Sequence, residues 1–74
     1  MKIIVNSPLM GDKIIEALTS YNQDNVKYDF IAKSGIKLEF EVSGAEEATA
    51  VELTKKIIRS HAFGNALYFQ VLAM

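Results

Sequence analysis

Residues 26–42 read VKYDFIAKSGIKLEFEV, and this stretch decides the fold. Apolar side chains alternate with mostly polar ones before and after its centre, which is typical of two strands that each bury one face. The centre, Lys33-Ser34-Gly35, predicts a three-residue hairpin loop with glycine at the position that needs positive φ. In that register the apolar pairs would be Val26–Val42, Tyr28–Phe40 and Phe30–Leu38, and the outward pairs Lys27–Glu41 and Asp29–Glu39.

A helix is predicted on each side of this hairpin. Upstream, Ser7-Pro8 is a helix-start signal, and apolar residues recur every three or four positions from Leu9 to Tyr21. Gly11 weakens the first turn, so it offers a later start for the regular helix. Downstream, Ser43 and Glu46 have the spacing of a capping box, which would open a helix that runs to about Ser60 or His61. The buried stripe of this second helix is predicted to be Ala50, Leu53, Thr54, Ile57 and Ile58.

Two further strands complete the pattern, one over residues 2–6 and one over residues 67–74. The resulting order is β-α-β-β-α-β, for which the simplest compact solution is a four-stranded antiparallel sheet of order 4-1-3-2 with both helices on one face. This is the ferredoxin-like arrangement, an α+β fold. We expect it to span residues 1–74 as one domain, because 74 residues leave no room for a second.

Composition and charge exclude several classes of function. The chain has no cysteine and one histidine, His61, so thiolate metal sites, His-rich metal sites and catalytic triads are excluded, and we expect no metal or cofactor. Eight basic and nine acidic residues give a net charge of −1, which predicts no binding to nucleic acid or to an anionic membrane. With no spanning segment or signal peptide evident, the expected location is the cytoplasm.

The outer face of the third predicted strand argues against two specific activities. RNA-binding domains of this topology stack bases on aromatic side chains there, but the outward residues are Lys37, Glu39 and Glu41. Glu39, Glu41 and Asp29 could in principle act as paired carboxylates, yet lysines stand among them on an open face without a cleft. A solvated, ion-paired surface is the favoured interpretation.

The loop over residues 6–13 is a candidate site for a small anion. Free N–H groups at a helix start attract phosphate or carboxylate, and four residues could assist: Asn6, Ser7, Gly11 and Lys13. The glycine spacing matches neither a P-loop nor a dinucleotide-binding loop, and ordinary helix capping explains the same residues.

The last predicted strand, Leu67–Met74, carries no charge at all. Edge strands are normally protected by lysine, proline or a bulge, so this one is either a frayed terminus with scattered apolar residues or a strand that another subunit covers. We favour the second interpretation, with a two-fold dimer as the simplest assembly. The predicted interface residues are Ile4, Tyr68, Gln70, Leu72 and Met74.

These observations predict a small self-associating module for binding or regulation, and no catalytic residue is identified. Two alternatives stay open. One is a domain that binds a small anion or metabolite through the loop 6–13, and the other is an enzyme whose active site forms between subunits. The sequence favours a protein that is not an enzyme, with a second copy of itself as the main partner.

Overall fold

A computed structural model describes residues 1–64 and 67–73, in which five strands and two helices surround one core. A short 3₁₀ helix over Ala62–Gly64 follows the second helix. The bounds in chain order are β1 Lys2–Asn6, α1 Gly11–Thr19, β2 Asn22–Gln23, β3 Val26–Ser34, β4 Lys37–Ser43, α2 Glu47–Ser60 and β5 Gln70–Ala73.

The five strands form one antiparallel sheet in the order β2-β3-β4-β1-β5. The predicted four-stranded ferredoxin-like sheet of order 4-1-3-2 is therefore wrong, although the fold remains α+β. The extra strand is Asn22–Gln23, a segment expected to be only a polar break, which pairs with the start of β3. Asp24 and Asn25 make this possible, because both adopt the positive φ of a two-residue hairpin turn, 56° and 63°.

The β3–β4 hairpin is present, but its predicted register is wrong. Tyr28 lies opposite Val42 and Phe30 opposite Phe40, and an irregularity at Ile31 shifts the pairing beyond that point. Ser34 pairs with Lys37, so the connection is a two-residue turn rather than the predicted three-residue loop. An extra residue in β3 and a shorter turn together displace the predicted pairs. Gly35 does have a positive φ, 60°, but as the first residue of this turn.

Helix α1 begins at Gly11, the later of the two starts that the sequence offered, rather than at Ser7-Pro8. Met10 precedes the helix in the left-handed conformation, at φ 63° and ψ 25°, and its carbonyl accepts a hydrogen bond from the Ile14 N–H at 3.0 Å. Ser7 does not cap the helix. Its hydroxyl donates to the Leu9 carbonyl at 2.6 Å, and its own N–H donates to the Ile36 carbonyl at 2.9 Å, which ties this loop to the β3–β4 turn.

The capping box predicted for α2 is also wrong. Ser43 is the last residue of β4, and Gly44 follows it with a φ of 87°. The residue that caps α2 is Glu46, in an extended conformation and without a side-chain capping bond. The chain therefore turns at Gly44 before the helix starts, which separates Ser43 from the helix N-terminus.

The core lies between the helices and one face of the sheet. The stripe predicted for α2 is largely confirmed, since Ala50, Thr54, Ile57 and Ile58 are buried and Leu53 is partly buried. The buried sheet residues are Ile3 and Val5 of β1, Val26 and Tyr28 of β3, Leu38, Phe40 and Val42 of β4, and Val71 of β5.

Candidate functional site

Strand β5 forms one edge of the sheet. It is shorter than predicted, Gln70–Ala73, and it pairs with β1 so that Leu72 lies opposite Ile4 and Val71 opposite Val5. Val71 belongs to the core, whereas Leu72, on the other face, is 48% exposed. Among the described strands none lies beyond β5, so an uncharged strand ends the sheet on this side.

The opposite side of the sheet is protected in several ways. Strand β2 pairs with the first two residues of β3, and the pairing irregularity at Ile31 interrupts the rest of that strand. Lys27, Asp29 and Lys33 add charge along it. Bulges and charged side chains are the usual defences of an edge strand against unwanted pairing, and β5 has neither.

The predicted interface residues differ in how accessible they are. Tyr68 is 73% exposed just before β5, and Gln70 and Leu72 are exposed within it. Ile4 lies on the same outer face but is only 9% exposed, flanked by Leu72 on one side and Glu39 on the other. Met74 lies outside the described residues. The accessible part of the predicted interface is therefore the β5 edge, which we define as Tyr68, Gln70 and Leu72.

One carboxylate of the outer face, that of Glu41, is held in an ion pair with the N-terminus, and the carboxylates of this face do not form a metal site. Asp29 lies opposite Glu41, not opposite Glu39 as predicted. The amino group of Met1 lies 2.7 Å from Oε2 of Glu41, and this contact lowers the pKa of the Glu41 carboxyl below its usual range. Within residues 1–64 and 67–73 no group of three possible metal ligands comes together.

The structure does not bring the four predicted anion-binding residues together. Asn6 lies on the outer face of the sheet, between Lys37 and Gln70. Ser7 is buried, with its hydroxyl bonded to the Leu9 carbonyl, and Gly11 is the first residue of α1. Lys13 lies in the helix layer, on the other side of the sheet from Asn6. This geometry gives no support to one anion site built from all four.

A groove that the sequence did not predict runs between α1, α2 and β2. Its volume is about 870 Å³, and its apolar lining comes from Ala17, Leu53 and Ile57. Charges of both signs surround the groove. His61 also lines it, and this histidine is exposed just after the end of α2. The only feature of the sequence that hinted at this groove was a set of polar residues on each helix, which recur at helical spacing on the side opposite the buried stripe. The charged and polar lining residues include Lys13, Glu16, Ser20, Asp24, Lys56 and Ser60, and Tyr21, Asn22 and Gln23 also line the groove.

Comparisons with known proteins identify no family for this chain. No protein-family model, curated protein or solved structure matches the chain. In addition, no helix within the described residues is long and apolar enough to cross a bilayer. The function is therefore argued from the surfaces of this molecule.

Proposed function

We propose that this protein is a small self-associating module for binding or regulation, in which two copies pair along β5. The observation that carries this proposal is the difference between the two sides of the sheet. Strand β3 is protected by β2, an irregular register and charged residues, whereas the four residues of β5 carry no charge and the sheet ends there. Unpaired N–H and C=O groups along such an edge are a template for another strand.

A second copy of the chain is the partner that fits this edge best. A strand that pairs antiparallel with itself across a two-fold axis forms a self-complementary contact, the commonest kind in homodimers. Because β5 is uncharged, the pairing brings no like charges together. It would also join two sheets into one of ten strands and bury surface that a 74-residue chain cannot bury alone.

The outer face of the sheet disfavours nucleic acid as a partner. The outer face of the central strands β1 and β4 carries no aromatic side chain on which bases could stack, and carboxylates alternate with lysines there, so we do not propose nucleic acid as a partner. The absence of cysteine means that the fold depends on no disulfide, which agrees with the cytoplasmic location that we propose.

Lysine substitutions in β5 test the proposal. Gln70→Lys replaces one exposed polar residue by another, so it should leave the monomer folded while placing a charge at the pairing edge. Leu72→Lys should weaken the dimer more strongly than Gln70→Lys. Burying a leucine side chain contributes about 1.5–3 kcal/mol, and the two-fold axis places one such leucine in each copy. We expect each to raise the dimer dissociation constant by about tenfold or more, measured by light scattering across a concentration series.

Ile31→Lys is the matched control. Ile31 is 43% exposed, close to the 48% of Leu72, but lies in β3 on the other side of the sheet. We expect this variant to keep the dissociation constant of the unmodified protein. Equal dissociation by Ile31→Lys and Gln70→Lys, with both still folded by circular dichroism, would rule out β5 as the contact.

A further inference from the structure

Three large apolar side chains are exposed at one end of the sheet, the end where β1 and β3 finish and β4 begins. Leu9 and Met10 lie in the loop before α1, and Ile36 lies in the β3–β4 turn. They are 65%, 46% and 53% exposed. The hydrogen bond from the Ser7 N–H to the Ile36 carbonyl holds the two loops together, so these residues form one surface, which we call the apolar tip.

Lysines surround the apolar tip. Lys37 follows Ile36 directly, and Lys13 lies in the first turn of α1. Lys33, just before the turn, lies 3.6 Å from the carboxylate of Asp12. With these three lysines and one aspartate, this end of the molecule is positive although the whole chain is not.

Three of the nine acidic residues lie at the other end of the molecule. Asp24 lies in the β2–β3 turn, and Glu46 and Glu47 lie at the start of α2, which follows the far end of β4. Lys2 and Lys27 lie at that end as well, so its charges are mixed, whereas the charged residues named at the apolar tip are three lysines and one aspartate. The positive end is also the end with the apolar tip.

We propose that the apolar tip, with its surrounding lysines, docks on an anionic lipid surface. Apolar side chains on two loops can enter the interfacial region of a bilayer while lysines contact the anionic headgroups. Three partly exposed side chains offer far less area than the roughly 800 Å² that each partner buries in a standard protein interface, which favours lipid over a protein partner. This contact is separate from β5 pairing, and it departs from the expectation based on net charge alone.

The absence of tryptophan from the chain permits a direct test. Ile36→Trp places a single fluorophore at the apolar tip, and Ile31→Trp places one at a comparably exposed position in the middle of β3. We expect the emission of Ile36→Trp to shift to shorter wavelength with vesicles of phosphatidylcholine and phosphatidylserine, but not with phosphatidylcholine alone. The emission of Ile31→Trp should stay unchanged with both.

Charge reversal tests the role of the lysines in the same Ile36→Trp background. Lys37→Glu should weaken binding to the anionic vesicles by about tenfold or more, because the reversal removes one attraction to the headgroups and adds one repulsion. Lys27→Glu is the control, since it makes the same change of charge at the other end of the hairpin, opposite Ser43. It should bind nearly as well as the unreversed protein.

Four results would overturn the proposal. They are an unshifted Ile36→Trp spectrum with anionic vesicles, an equal shift with neutral vesicles, an equal shift for Ile31→Trp, and an equal loss of binding in Lys27→Glu and Lys37→Glu. A shift of Ile36→Trp with an acidic amphipathic peptide, and none with vesicles, would assign the apolar tip to a protein partner instead.

Discussion

Gly44 and Gly35 show how differently two glycines with positive φ constrain the same chain. Both lie at turns, with φ values of 87° and 60°. A Cβ atom added to Gly35 would meet no atom within 4 Å, whereas one added to Gly44 would lie 2.0 Å from the carbonyl oxygen of Asn25. Gly35 is therefore required for its conformation alone, and Gly44 for its conformation and its close approach to the β2–β3 turn.

This difference predicts unequal costs for the same substitution. Gly35→Ala should lower the free energy of unfolding by about 1–2 kcal/mol, the cost of a strained left-handed conformation. Gly44→Ala should cost about 1–3 kcal/mol more, because the backbone of Asn25 must move. Urea denaturation of the two variants measures this, and equal losses would show that Gly44 does not pack against that turn.

Tyr28 takes part in a buried side-chain hydrogen bond of the core. The Thr54 hydroxyl donates to the Ala50 carbonyl at 2.7 Å, which uses its only hydrogen, so the Tyr28 hydroxyl donates to Thr54 Oγ1 at 2.8 Å. Burial raises the pKa of the Tyr28 phenol above its ordinary value of 10.0. A phenolate at this position is therefore disfavoured in the folded state.

Stability should consequently fall at alkaline pH. Below pH 10 the tyrosine is neutral in both states, and its contribution to stability is complete. Above pH 10 the unfolded chain loses this proton and the folded chain keeps it, so stability is lost as the pH rises toward the folded pKa. Tyr28→Phe should cost about 1 kcal/mol at pH 7 and flatten this alkaline loss, whereas Tyr68→Phe, at an exposed position, should leave stability at pH 7 unchanged. An unchanged alkaline slope in Tyr28→Phe would contradict the assignment.

Among the elements, the start of α2 offers the clearest prediction. Glu46 occupies the capping position without a side-chain capping bond, while Ser43 lies in β4. Aspartate caps helices well and keeps the charge, so Glu46→Asp should raise stability by about 0.5–1 kcal/mol. Ser43→Ala should change it by less than about 0.5 kcal/mol. A loss of about 1 kcal/mol in Ser43→Ala would show that Ser43 does cap the helix.

The sequence predicted individual helices and strands better than it predicted how they pair and pack. Periodicity located the buried stripe of α2, because that stripe depends only on local spacing. The hairpin register failed at Phe30-Ile31-Ala32, where three successive apolar residues interrupt the alternation and accommodate the irregularity in β3. The groove between the helices could not be predicted, since it depends on how α1, α2 and β2 pack. An uncharged last strand was evident from composition, but its contrast with β3 required the sheet order.

At the scale of the whole molecule, the small size of the chain and its β5 edge both lead us to expect self-association. A chain of 74 residues has a thin core, so a contact that adds burial contributes a large share of total stability. Strand β5 contains no charged residue, so two copies can approach along that edge without repulsion between β5 side chains. Self-association would then make the stability of the fold depend on the concentration of the protein.

The most direct test of this coupling is the mass in solution, measured by sedimentation equilibrium from low to high micromolar concentration. We predict a rise from the 8.2 kDa of one chain toward twice that value, and a melting temperature that increases over the same range. The Gln70→Lys variant should stay at the mass of one chain throughout. A mass of 8.2 kDa for the unmodified protein at high micromolar concentration would contradict self-association through β5 before any variant is made.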